Sequence, residues 1–95
     1  MHEYHFLEIV FLSEDFQFDG RDDVEDPLEE FLERNQLGEV TGGGSGMGVV
    51  IIDVEVHDLQ QGISAIRSFL QSLGVARSTV IKQYRPEVIE HYIFT

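Results

Sequence analysis

The chain has 95 residues and a mass of 10.8 kDa, with 42% hydrophobic and 25% charged residues, which fits one globular domain over 1–95 with a single core. With no cysteine, it has no disulfide framework, thiolate metal site or cysteine nucleophile. Eighteen acidic against 6 basic residues give a net charge of −12, which argues against nucleic acid as a ligand.

The charge is unevenly placed. Residues 1–40 hold 13 carboxylates against Arg21 and Arg34, whereas 41–95 hold 5 against Arg67, Arg77, Lys82 and Arg85. Such a surface attracts cationic partners and repels phosphate polymers, and salt weakens the effect. The longest apolar run, Val49 to Ile52, is far short of the ~20 residues that span a bilayer. The opening Met1-His2-Glu3-Tyr4 lacks the layout of a secretory signal, so the expected location is cytoplasmic, without membrane contact.

In chain order, residues 3–12 are rich in β-branched and aromatic types and predict a first strand. Leu7, Ile9 and Phe11 fall on one face, and Tyr4, Phe6, Glu8 and Val10 on the other. Residues 13–25 form an acidic connection. Within it Asp15, Gln17, Asp19, Gly20 and Asp26 partly follow calcium-loop spacing, but no helix precedes them and Asp26 is a short ligand for the last position, so a solvated loop is preferred. Asp26-Pro27-Leu28-Glu29 predicts a helix start, with Asp26 as N-cap and Pro27 at the first helical position. Leu28, Phe31 and Leu32 supply its apolar stripe, and Gly38 its stop, giving a helix over 26–37.

A short strand candidate at Glu39-Val40-Thr41 runs into Gly42, Gly43, Gly44, Ser45, Gly46, Met47 and Gly48. This run reads as a flexible hairpin loop or, less favourably, as an anion cradle. No lysine lies within it and a strand follows it, so neither phosphate-loop signature fits; Ser45 likewise lacks the strand-to-helix elbow of a nucleophilic serine. Residues 49–57 give the clearest strand, alternating from Ile52 onward with Val54 and Val56 inward and Asp53, Glu55 and His57 outward. Asp58 caps a second helix over 58–73 that carries Ile63, Ile66, Phe69, Leu70 and Leu73 and ends at Gly74. Residues 78–85 and 88–94 predict a terminal hairpin around Pro86-Glu87.

The order strand, helix, strand, strand, helix, strand, strand predicts an α+β sandwich: a mainly antiparallel sheet with two helices on one face. It resembles the ferredoxin-like βαββαβ fold with an extra C-terminal strand. A strongly acidic domain of this architecture is also similar to small bacterial immunity and regulatory proteins, which implies a protein partner rather than a substrate.

Two functional classes are consistent with these residues. The favoured one is a non-enzymatic interaction or regulatory domain, a toxin-immunity protein in its most specific form. It would bind a basic protein partner through Glu25, Glu29, Glu30 and Glu33 and through an open sheet face bearing Tyr4, Phe6, Val10, Val49 and Ile51. Homodimerisation through the same face is expected if its carboxylates lie at the rim, with Lys82 or Arg85 available to pair with them. The alternative is a small-ligand or metal-binding domain, or minor enzyme, using the 42–48 loop with Asp53, Glu55 and His57. No catalytic set is complete, and no metal site or cofactor is expected. His2 is chain-terminal, His5 travels with the inward set, and His91 alternates with Ile89 and Ile93 as a core-edge residue.

Overall fold

A computed structural model describes residues 4–94; His2, expected at the chain terminus, and Glu3, expected to open the first strand, lie outside the described residues. The elements are β1 (His5–Leu12), a short 3-10 turn (Ser13–Asp15), α1 (Asp22–Arg34), β2 (Gly38–Gly46), β3 (Val49–Val56), α2 (Leu59–Leu73), β4 (Val80–Gln83) and β5 (Ile89–Tyr92). The chain is thus an α+β domain whose five strands form one antiparallel sheet in the order β2-β3-β1-β4-β5.

The alternation in the central strands decides which face is buried. Leu7, Ile9, Phe11, Val50, Ile52, Val54, Val56 and Ile81 point to one side and join Val24, Leu28 and Leu32 of α1 and Ile63, Ile66 and Leu70 of α2 in a single core. Phe31 of α1 stacks on Phe69 of α2 at 4.9 Å, so the helices lie side by side over that face. Gly62 lets α2 sit close against β3, since a Cβ there would lie 2.7 Å from the Val56 side chain. The residue that costs helix propensity is therefore the one that permits the packing.

α2 forms as its sequence predicts. Asp58 accepts a hydrogen bond from the Gln61 amide at 2.8 Å, and Gly74 closes the helix at φ 84°. α1 differs at both ends. It begins at Asp22, four residues before the expected cap, so Asp26 and Pro27 lie inside it. Proline there removes one bond to the carbonyl four residues back, that of exposed Asp23, which water can satisfy. In return Val24 extends the apolar stripe, and Asp22, Asp23 and Glu25 place negative charge at the positive end of the helix dipole.

The helix stops before Gly38, with Gln36 at φ 55° while the Leu37 amide donates to the Leu32 carbonyl and the Gln36 amide to the Glu33 carbonyl. A left-handed residue with a Cβ is strained. Gln36→Gly should therefore raise stability by about 0.5–1 kcal/mol, measured as a shift of the urea midpoint at constant slope.

The glycine run also differs from its sequence reading. Gly42–Gly46 is not a loop: it continues β2 alongside β3, with a bulge between Val40 and Gly42. The turn itself is only Met47-Gly48, at φ 54° and 82°, the positive-φ pair that suits a two-residue hairpin. The segment before α1 is likewise more ordered than a solvated loop, since Phe11, Phe16 and Phe18 form a chain of rings 5.2 and 5.3 Å apart.

The terminal strands are shorter than expected, at Val80–Gln83 and Ile89–Tyr92, and they extend the sheet beyond β1. α2 fastens the last of them: Arg67 donates to the Tyr92 carbonyl at 3.0 Å and Gln71 to that of Ile93 at 2.7 Å.

Candidate functional site

Among the described residues the strands' other face carries no helix. Tyr4, Phe6, Leu12, Tyr84 and Tyr92 are exposed at 49, 42, 37, 37 and 57%, an apolar surface on a sheet whose opposite side is fully packed. Val10, Val49, Ile51 and Val80 are half-buried among them. The expected open-face residues thus share one surface, and the described C-terminal residues, to Phe94, do not fold back over it.

Pairing register places a charged row across the middle of this face. Gly42, Asp53, Glu8, Lys82 and Glu90 are successive partners on β2, β3, β1, β4 and β5. Glu8 and Asp53 are thus directly opposite, and like charges in that position repel. Burial, then the Glu8 charge, raise the Asp53 carboxyl above its ordinary value, while Arg21 pulls it down. Its Oδ1 is buried with no hydrogen-bond partner among the described residues.

Glu8 is held in place by the Tyr84 hydroxyl, which donates to it at 2.7 Å. That bond, with burial and the charges of Glu8 and Asp53, pushes the Tyr84 phenol up to about 12. The expected pairing of Lys82 or Arg85 with the carboxylates is not formed among the described residues: Lys82 Nζ lies instead over the Tyr84 ring, 5.4 Å from its centre. Nor do the carboxylates lie at a rim, since Glu8 is on the central strand.

Beside this row, Phe6 and Tyr84 bring their rings to 5.9 Å. They border a cleft of about 270 Å³ lined by Tyr4, His5, Phe6, Tyr84 and Arg85. Tyr4 also packs on His57 at 4.9 Å. His5 turns with Leu7 toward the helix side, so the two histidines do not converge with Asp53 and Glu55. No group of three potential ligands that could hold a metal occurs among the described residues. In the calcium-like stretch Asp15 accepts from Ser78 at 2.6 Å, the Asp19 amide donates to Asp23, and Asp26 belongs to α1.

The acidic residues of α1 form a separate surface. Glu30 and Glu33 are exposed, Glu29 is half-buried, and Glu25 is tied to Arg21 at 2.8 Å. Because α1 covers the packed side of the sheet, these carboxylates and the open face look in different directions. Gly42, Gly44 and Gly46 border the open face without side chains, and Gly44 and Gly46 line a shallow trough with Ser45, Met47, Val49 and Ile51.

His91 sits at the packed side's edge, its Nε2 2.9 Å from Gln83 Oε1. Burial, then Arg67, lower its pKa below the ordinary 6.5. The unfolded chain therefore takes up this proton first, and stability present above pH 6.5 is lost as pH falls through the folded pKa. Urea midpoints at pH 7.5 and 5 should fall further for the native chain than for His91→Gln.

Among the described residues no helix is long and apolar enough to cross a membrane. No protein-family model matches this sequence, and no curated protein or solved structure is significantly similar to it.

Proposed function

We propose that this domain is a non-enzymatic interaction module that binds a basic protein partner through the open face of its sheet. The observation that carries the reading is the uncovered face itself, where exposed aromatic side chains surround a carboxylate pair with no internal cation bound to it among the described residues. An apolar surface asks to be covered, and the unbalanced charge at its middle selects a cationic cover. A second copy of the chain is the weaker occupant, because twofold stacking would bring Glu8 and Asp53 onto carboxylates of the symmetry mate. The net charge of −12 supports the same choice by steering basic partners inward.

The succession β4-β1-β3-β2, with each helix crossover skipping one strand, supports a ferredoxin-like sandwich extended by β5. A cytoplasmic toxin-immunity protein is the most specific form of this function, with Glu25, Glu29, Glu30 and Glu33 of α1 as a second acidic contact.

Selection from a displayed library of protein segments tests the reading. Recovered segments should be basic, should bind less as salt rises, and should lose at least tenfold in affinity to Phe6→Ala at unchanged stability. Neutral or acidic binders, or binding indifferent to Phe6→Ala, would overturn it. Sedimentation at micromolar concentration should give a monomer; a dimer abolished by Phe6→Ala would assign the face to a second copy instead.

A further inference from the structure

Resting on that reading, we infer that the partner offers an extended segment whose arginine seats across Glu8 and Asp53, with an apolar side chain two residues away in the cleft beside the Phe6 and Tyr84 rings. Directly opposite residues of an antiparallel pair have Cβ atoms about 5 Å apart, so one planar guanidinium can donate to both carboxylates. Gly42, the β2 partner of Asp53, adds no side chain to block the approach to Oδ2, from which even a Cβ there would stand 3.7 Å; Oδ1 is buried, so the guanidinium meets Asp53 through Oδ2. Tyr84 fixes Glu8 for the incoming cation, while Lys82, the register partner of Glu8 on β4, is engaged with the Tyr84 ring and Arg21, which pulls the Asp53 carboxyl down, is paired with Glu25. A lysine would serve less well, since an ammonium lacks the fork that spans two acceptors.

The second position is set by strand spacing. Phe6 lies two residues from Glu8, about 7 Å along β1, and an extended partner repeats its side chains at that interval. The cleft there is bordered by three aromatic rings, Tyr4, Phe6 and Tyr84, and by the cationic Arg85. A second cation would meet Arg85, whereas an aromatic or aliphatic side chain would fill the cleft against the rings.

The probe is an extended hexapeptide carrying arginine and phenylalanine two places apart, titrated into the isotope-labelled full chain and followed by amide shifts. We expect perturbations on β1, β3 and β4, and affinity at least tenfold weaker for the citrulline peptide and for Asp53→Asn. Asp53→Asn should fold at least as well as the native chain, because burial and Glu8 disfavour the charged form of this carboxyl at neutral pH. Perturbation of the same face with equal affinity for arginine and citrulline would overturn the arginine seat while leaving the open-face reading intact. Perturbations confined to α1, or none up to millimolar peptide, would overturn the seat, and binders unaffected by Phe6→Ala in the library selection would overturn the open-face reading separately.

Discussion

Gly38→Ala should destabilise the domain by about 3 kcal/mol, the upper end of ordinary overpacking, while Gly44→Ala on the same strand should be neutral or stabilising by up to about 0.5 kcal/mol. The substitutions add the same methyl group to two residues of β2. At Gly38 the new Cβ would sit 2.0 Å from the Glu55 carbonyl oxygen and 2.8 Å from Val56 Cα. These are backbone atoms of β3, fixed by pairing to β1 and β2, so the contact cannot be relieved by turning a side chain. At Gly44 nothing lies within 4 Å, and the residue is paired to Ile51 in the sheet, so alanine mainly restricts the unfolded chain. Urea unfolding of both variants checks the pair of signs. Equal effects would mean that the glycine run is the loop its composition suggests rather than a strand docked on β3.

That contrast shows where the sequence is informative. Val49–Val56 and Leu59–Leu73 are legible because each carries a redundant signal: a β-branched run that alternates from Ile52 onward in the one, a 3.6-residue stripe bounded by Asp58 and Gly74 in the other. β2 has no such signal, since five of its nine residues are glycine and only pairing with β3 makes it a strand. α1 is misplaced for the opposite reason. Asp26-Pro27-Leu28-Glu29 mimics a helix start, but Val24 stands four residues before Leu28 on the same stripe, and burying it carries the helix upstream through the proline.

The site divides in the same way. Glu8 and Asp53 are each recognisable as outward-facing from alternation alone, yet their opposition is a matter of register between strands distant in sequence. The Tyr84–Glu8 bond spans 76 residues of sequence. No local pattern encodes such a contact, and a charged residue within a strand's outer face, as Glu8 is, is the one available clue.

Ile93→Ala is expected to cost about 2–5 kcal/mol, as for removal of most of a fully buried aliphatic side chain. β5 pairs only with β4, so by hydrogen bonding alone it is the sheet's most weakly held member. Its retention depends on anchors at its C-terminal end: the Ile93 side chain is 0% exposed in the core, and the Gln71 and Arg67 side chains hold the Ile93 and Tyr92 carbonyls from α2. These three ties all reach the packed side of the sheet, which is why the described C-terminal residues leave the aromatic face uncovered. Thermal unfolding should show the loss. Exchange of the β4 and β5 amides should accelerate beyond that of β1 and β3 if the edge opens before the core. Because Ile93 and Phe6 lie on opposite sides of the sheet, the stability effects of Ile93→Ala and Phe6→Ala should add to within about 0.5 kcal/mol. A strongly non-additive pair would mean that the C-terminal residues reach round to the open face in solution, which would remove the surface on which the partner is proposed to dock.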